Sequence, residues 1–170
     1  MKATNNNTFS LFYKLPIKNT FMQINIENDN LVSTNYLAKN LKNYSRQINS
    51  SKLAINIFKQ LDLYFADAKH KINIDFVFNK IPSTDFQRKV WKTIQKIPVG
   101  KTITYGDIAD KLKTSPRAVG NACAANHLPL LIPCHRVVGI RSLGGFNHQR
   151  DGLMLQLKSW LLDHEGVKIK

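Results

Sequence analysis

Apolar and polar positions alternate in some stretches of this chain and recur every third or fourth residue in others. Alternation is weak over Thr20 to Ile26. After the turn-forming run Asn28-Asp29-Asn30, the segment Leu31 to Thr34 reads as a returning strand. The pattern is cleanest from Lys71 to Phe78, where Ile72, Ile74, Phe76 and Phe78 share one face, and this is the strongest strand signal in the chain. Between these segments Leu53, Ile57, Leu61 and Phe65 form a helical stripe. The polar, Asn-rich residues 1–8 are expected to fray.

Asn79 to Asp85, with Pro82 inside it, reads as a linker, and beyond it the period is helical. Thr84 followed by Gln87 predicts a capping box, and Phe86, Val90, Ile94 and Ile97 make a stripe that Pro98-Val99-Gly100 ends. Thr104 caps a helix over Tyr105 to Lys113 that buries Ile108, Ala109 and Leu112. Ser115-Pro116 restarts the helix with a serine cap and proline at the first helical position. The helix that follows, to about Ala125, is rich in small residues. Two short helices joined by a tight turn suggest a helix-turn-helix, although pattern alone favours an ordinary helical hairpin. A last helix from Gly152 to His164 is expected to turn Leu153, Leu157, Trp160 and Leu161 inward and to stop at Gly166.

Charge adds a partner to this outline. Lys and Arg number 25 against 11 Asp and Glu, a net +14, which concentrates polyanions near the surface and makes nucleic acid or an anionic membrane the first partners to consider. Up to residue 85 there are 11 basic and 6 acidic side chains; beyond it there are 14 and 5. The second half is therefore the better candidate for holding nucleic acid. No apolar run approaches the roughly 20 residues that span a bilayer, so no membrane partner is expected. The opening MKATNNNTFSLFYKLPIKN lacks a sustained apolar core and a small-residue cleavage site, so no secretory signal is expected either. Two cysteines, Cys123 and Cys134, cannot build a disulfide framework, which fits a reducing cytoplasm and a working thiol.

Candidate chemistry centres on Leu130-Leu131-Ile132-Pro133-Cys134-His135-Arg136-Val137-Val138. A free thiol has a pKa near ~8.5, and an adjacent His135 and Arg136 could stabilise its thiolate. Sequence neighbours need not face one another, and a cysteine among apolar residues also fits a simple packing role. Cys123, beside Val119 and Ala122, is read as packing.

Pro133-Cys134-His135-Arg136-Val137 resembles the active-site signature of the O6-alkylguanine-DNA alkyltransferases, the methylated-DNA–protein-cysteine methyltransferases. The similarity continues in family order. It takes in Tyr64-Phe65-Ala66, Phe86-Gln87-Arg88-Lys89-Val90-Trp91, Ile97-Pro98-Val99-Gly100-Lys101-Thr102 and Tyr105-Gly106-Asp107-Ile108-Ala109. Arg117-Ala118-Val119-Gly120, Asn126 and Trp160-Leu161-Leu162-Asp163-His164-Glu165-Gly166 complete it. Coverage is good from about residue 61 to 170 and thin before.

The resemblance implies an α/β (α+β) chain. A small antiparallel-sheet domain would occupy residues 1–80, and a mostly helical domain with a helix-turn-helix would occupy 81–170. It also implies double-stranded DNA containing O6-alkylguanine as partner, a base flipped into a pocket, and stoichiometric transfer of the alkyl group to Cys134 in a single turnover. His135 would take the thiol proton through a water, with Glu165 supporting the imidazole. Tyr105 would give a proton or hydrogen bond to the departing guanine. Arg117 would fill the gap in the base stack, and Pro116, Ala118, Gly120 and Ala124 would permit close approach to the minor groove. Asn126 would hold the link between the DNA-binding helices and an active-site strand, while Val137, Phe146 and Asn147 would belong to the substrate pocket. No metal and no organic cofactor is called for, and a monomer is expected.

One stretch departs from the family pattern. Gly144-Gly145-Phe146-Asn147-His148-Gln149-Arg150-Asp151-Gly152-Leu153 carries Phe146 in place of the usual tyrosine and is about five residues longer. Asn147 and His148 are expected at the pocket mouth. A lesion-binding module without transfer is the rival reading, but members of that group replace the cysteine, commonly by tryptophan, and Cys134 is present here. A Cys-His hydrolase lacks an evident oxyanion hole. A sequence-reading regulator would need more base-reading side chains than the small-residue helix offers.

Overall fold

The computed structural model describes residues 8–39, 51–76, 78–149 and 151–168. The fraying expected of residues 1–8 lies outside them except at Thr8, which opens the first strand. The chain divides into two compact units, residues 1–82 and 83–170.

In the first unit β1 (Thr8–Lys14), β2 (Thr20–Glu27) and β3 (Asn30–Ala38) form an antiparallel sheet in that order. The central strand β2 buries Met22, Ile24 and Ile26 completely. Asn28 and Asp29 both take positive φ, 49° and 55°, the two-residue turn whose twist suits a hairpin and which Asn and Asp tolerate. Helix α1 (Lys52–Ala66) starts at Ser51, whose hydroxyl accepts from the Ala54 N–H. Its buried residues are Ala54, Ile57, Phe58, Leu61 and Tyr64. Tyr13 of β1 meets this helix, with its ring edge-on to Phe58 at 5.5 Å and its hydroxyl donating to Asp62 at 2.8 Å.

The strand expected over residues 71–78 does not form. Residues 71–76 belong to no strand, and Phe78–Lys80 is a 3-10 turn. Ile74 is buried while Asn73 and Asp75 are exposed, so the alternation correctly marks which side faces the core. It says nothing about a hydrogen-bonding partner. The Asn73 N–H is satisfied by the Gln60 side chain of α1 at 2.9 Å, not by a neighbouring strand.

The second unit holds α2 (Asp85–Ile94), α3 (Tyr105–Leu112), α4 (Pro116–Ala124) and α5 (Gly152–His164). The capping boxes at Thr84/Gln87 and Thr104/Asp107 both close, and the Ser115 hydroxyl caps α4. Between α3 and α4, Lys113 takes φ 52° and the Thr114 N–H returns to Ala109 O at 2.9 Å. The result is the tight turn of a helix-turn-helix. Trp91 on α2 donates from Nε1 to Ala122 O at 2.7 Å and so fixes α4. Two short strands, β4 (Ile103–Thr104) and β5 (Val137–Val138), pair in parallel. Gly166 (φ 80°) terminates α5 as expected, with Gly166 N–H to Asp163 O and Val167 N–H to Leu162 O, both at 2.8 Å.

Several inward faces shift from expectation. Phe86 and Leu112 are half-buried, and α2 ends at Ile94, so Ile97 is buried in the following turn. On α5 the buried residues are Met154, Leu157, Lys158, Leu161 and Leu162, while Leu153 and Trp160 are half-buried. Trp160 stacks on His164 at 4.9 Å, which turns its ring along the helix. Among the described residues no helix is long and apolar enough to cross a membrane. The architecture is α+β.

Candidate active site

Cys134 opens a 3-10 turn, Cys134–Arg136, that leads into β5. The expectation of a strand at this cysteine is corrected: the strand begins at Val137. The tight turn sends three consecutive side chains in different directions. His135 is fully buried, and Cys134 and Arg136 nearly so.

Asn126, just past α4, ties this turn to the helix-turn-helix. Its Nδ2 donates to Ile132 O at 2.8 Å and to Cys134 Sγ at 3.2 Å, and its Oδ1 accepts from the Leu128 N–H at 2.9 Å. Burial pushes the Cys134 thiol pKa up, opposed by the Asn126 hydrogen bond and the nearby Lys158 charge. The thiol therefore rests protonated and needs a base.

An imidazole follows it in the chain. His135 Nε2 lies 3.0 Å from Glu165 Oε1. Because an ionised carboxylate only accepts, Nε2 carries the proton, and Nδ1, which is buried with no hydrogen-bond partner among the described residues, presents its lone pair. Burial lowers the His135 pKa against the pull of Glu165, keeping the ring neutral. Burial alone would raise the Glu165 pKa; hydrogen bonds from His135 and Arg136 overcome it and hold the carboxyl well below the usual range.

Arg136 does not sit at the thiolate. Its Nε and Nη2 form a fork on the Glu165 carboxylate at 2.8 and 2.7 Å, and its Nη1 donates to Ile97 O at 2.7 Å. The guanidinium prefers planar two-point pairing with a carboxylate in a dry setting to a single contact with sulfur. Gly100 makes room for this arrangement: at φ 74° it passes so close to α5 that a Cβ would stand 3.1 Å from Glu165 O.

In front of Cys134 lies a cavity of about 740 Å³. One wall comes from α4 through Pro116, Arg117, Gly120, Asn121, Cys123 and Ala124; Tyr105 of α3 lines it as well. The other wall is the loop Gly145 to Gln149. There Phe146 and Gln149 exchange two backbone hydrogen bonds of 2.8 Å across Asn147 and His148, both at positive φ (47° and 62°). The longer loop is thus a tight two-residue turn at the mouth, with Phe146 buried and Asn147 and His148 exposed. Gly144 lets the loop lie on Tyr105: a Cβ there would be 2.6 Å from the ring.

Of the residues singled out from sequence, Cys134, Tyr105, Pro116, Arg117, Gly120, Ala124, Phe146 and Asn147 line this cavity. Asn126, His135 and Glu165 stand behind the thiol. Ala118 and Val137 do not line the cavity; Ala118 lies elsewhere on α4, and Val137 O is held by Lys158 at 2.7 Å. Two contributors went unread. Cys123, taken as packing, is on the wall. Lys158 is wholly buried among the apolar positions of α5, and a lysine inside an otherwise apolar stripe was its signal. Among the described residues no three His, Cys, Asp or Glu side chains gather as a metal cage.

The model of the 6-O-methylguanine DNA methyltransferase DNA-binding domain matches residues 85–167. A solved O6-methylguanine DNA methyltransferase from Methanococcus jannaschii is 32% identical, with a TM-score of 0.63, covering 94% of this chain and 95% of its own. The chain belongs to this family. The Mycobacterium tuberculosis OGT structure in complex with DNA is 28% identical, with a TM-score of 0.69 over 91% of this chain and 90% of its own. The methylated-DNA–protein-cysteine methyltransferase of Methanocaldococcus vulcanius is 46% identical over 108 residues, 64% of this chain and 64% of that protein. This chain thus spans a little under two thirds of that relative's length.

Proposed function

We propose that this protein repairs DNA by taking the alkyl group of an O6-alkylguanine onto Cys134 in one irreversible turnover. The observation that carries the reading is Cys134 at the floor of a base-sized cavity, hydrogen-bonded by Asn126 and followed by a neutral, Glu165-supported His135. Residues 81–170 would supply both DNA binding and transfer, acting as a monomer in the cytoplasm.

Double-stranded DNA meets the helix-turn-helix. Pro116, Ala118, Gly120 and Ala124 keep α4 slim enough for a narrow groove, and the basic surface supplies affinity for any sequence. Arg117, exposed on the first turn of α4, enters the stack where the guanine leaves it. The extruded base enters the cavity between α4 and the 145–149 turn, against Phe146, with Asn147 at the mouth and the Val137 backbone behind.

His135 Nδ1 then accepts the Cys134 proton through a water, and the charge on the imidazole is offset by Glu165. The thiolate attacks the alkyl carbon in line, the C–O6 bond breaks, and the electron pair returns to the purine. Tyr105 donates its hydroxyl proton to the departing guanine. Sulfur ends as a thioether, and no group in the site is placed to remove the alkyl.

Intact-protein mass spectrometry after incubation with an O6-methylguanine duplex tests this. One added methyl, about 14 Da, mapped to Cys134 and saturating at one per chain, is the expected result of covalent capture. Tight lesion binding with no mass change would replace transfer with lesion sensing.

A further inference from the structure

The cavity wall made by α4 carries one polar side chain with nothing to hold. Asn121 is exposed on that wall, and its side-chain amide has no hydrogen-bond partner among the described residues. Asn126, five positions on, is the opposite case: its amide is engaged at both ends, by Ile132 O, Cys134 Sγ and the Leu128 N–H. Asparagine is a poor helix former, because its amide competes for the backbone. Asn121 nevertheless sits inside α4, between Gly120 and Ala122, where alanine would favour the helix more. Neither the fold nor the Cys134 turn draws a hydrogen bond from its side chain.

Its place on the helix is that of the groove. Arg117 and Asn121 stand at i and i+4 and so share one face of α4. Both line the cavity in front of Cys134. One helical turn separates them, about 6 Å along the axis, which is under two base-pair steps of ~3.4 Å each. With Arg117 in the gap left by the extruded guanine, Asn121 lies over a neighbouring base pair on one side of the lesion.

The two side chains present different chemistry there. Every base pair offers acceptors in the minor groove, purine N3 or pyrimidine O2, and only guanine adds a donor, its N2 amine. Arginine has donors alone, so Arg117 meets every sequence alike. Asn121 Oδ1 is the acceptor that the α4 wall otherwise lacks, since Pro116, Gly120 and Ala124 have no polar side-chain atom and Cys123 is buried. The carbonyl oxygen and amine of one carboxamide match the N2 donor and N3 acceptor of one guanine edge.

We propose that Asn121 reads a guanine in the base pair next to the lesion, accepting from its N2 amine through Oδ1 and donating to its N3 through Nδ2, and so sets the sequence context in which alkylated guanine is repaired. This rests on the alkyl-transfer reading above. One such contact biases binding without making it sequence-specific, which suits a protein whose remaining affinity comes from charge. Asn121 does not touch the reacting atoms. Its contact is made on docking and acts on the strength of the complex, not on the rate of the chemical step.

The test is single-turnover methyl transfer at increasing concentrations of an O6-methylguanine duplex whose flanking pair is varied on each side in turn. The pairs are guanine·cytosine, hypoxanthine·cytosine, which lacks the N2 amine, adenine·thymine, and 2,6-diaminopurine·thymine, which restores it. The wild type is expected to reach its half-maximal rate at about tenfold lower duplex concentration when the amine is present at one flank, the low end for one bidentate base contact. The rate at saturation should not differ between pairs. Duplex stability alone predicts the reverse sign, because a neighbour without the amine pairs more weakly and lets the lesion leave the stack more easily. In Asn121→Ala the difference between pairs should shrink to less than about twofold, which a purely structural role for Asn121 would not produce; alanine at an exposed helical position preserves the fold. Equal behaviour of the guanine and hypoxanthine flanks in wild type overturns the proposal without any variant, as does a preference that survives in Asn121→Ala. A wild type that acquires no methyl group from any duplex sinks the alkyl-transfer reading and this inference with it. Normal uptake with no flank preference sinks the inference alone.

Discussion

The two units enclose different things. The first hides an apolar core: Met22, Ile24 and Ile26 of the sheet, and Ala54, Ile57, Phe58 and Leu61 of the helix, with Thr20 and Thr34 as its buried polar residues. The second also hides ionisable groups: the neutral His135 and the charged Arg136, Lys158 and Glu165 are all buried around the Cys134 turn and its neighbouring loop. Apolar burial favours folding in proportion to area and can be shared among many side chains. Buried charge is stable only as a complete set, because each member is paid for by its partners. The first unit should therefore tolerate substitution piecemeal, whereas the second should fail wherever one member of the set is lost.

The largest contrast lies in chemistry. Cys134→Ala is expected to abolish methyl uptake, read by mass spectrometry, while lesion-duplex binding persists. Ile57→Val in the first unit should leave the transfer rate of the folded protein unchanged. In stability, Arg136→Leu should cost about 3–5 kcal/mol because it strands the Glu165 carboxylate in a dry site. Ile57→Val should cost only about 0.5–1.5 kcal/mol. Urea unfolding can report the first of these locally, since both tryptophans, Trp91 and Trp160, lie in the second unit.

Acid sharpens the same contrast. Glu165 has a folded pKa below its ordinary value of 4.5, so its contribution is complete above about that pH and is lost as pH falls toward the folded pKa. His135 acts in the same direction from higher up: the unfolded ring takes a proton below its ordinary 6.5, and the buried ring resists doing so. Stability of the second unit should fall in two steps on acidification from neutrality, visible in tryptophan fluorescence. Arg136→Leu should blunt the lower step. At the small end, Ser115→Ala should cost about 1 kcal/mol by removing the α4 cap. It should also weaken lesion-duplex binding more than it slows transfer from bound duplex.

The same division marks what could be read beforehand. The helix starts of the second unit were legible because caps are local: Thr84, Thr104 and Ser115 each act on a backbone N–H three residues away. The first unit was legible in part: β2, the turn after it, β3 and α1 all follow from the pattern. β1 passed unnoticed because its adjacent Phe12 and Tyr13 break the alternation, and residues 71–76 alternate well yet lie in no strand. Strand pairing depends on an edge contributed by distant residues, so periodicity alone cannot report it.

By itself the sequence determined the family signature around Cys134, the capped helices of the helix-turn-helix, and the positive charge suited to a polyanion. Each depends on residue identity or on neighbours one helical turn away. Only the tertiary structure decided that Arg136 turns from the thiol to Glu165, 29 residues on, that Cys123 lines the same cavity as Cys134, and that Lys158 reaches Tyr105, 53 residues before it. These pairings follow from which partners remain for a charge once water is excluded, and that is settled only when the chain has closed around them.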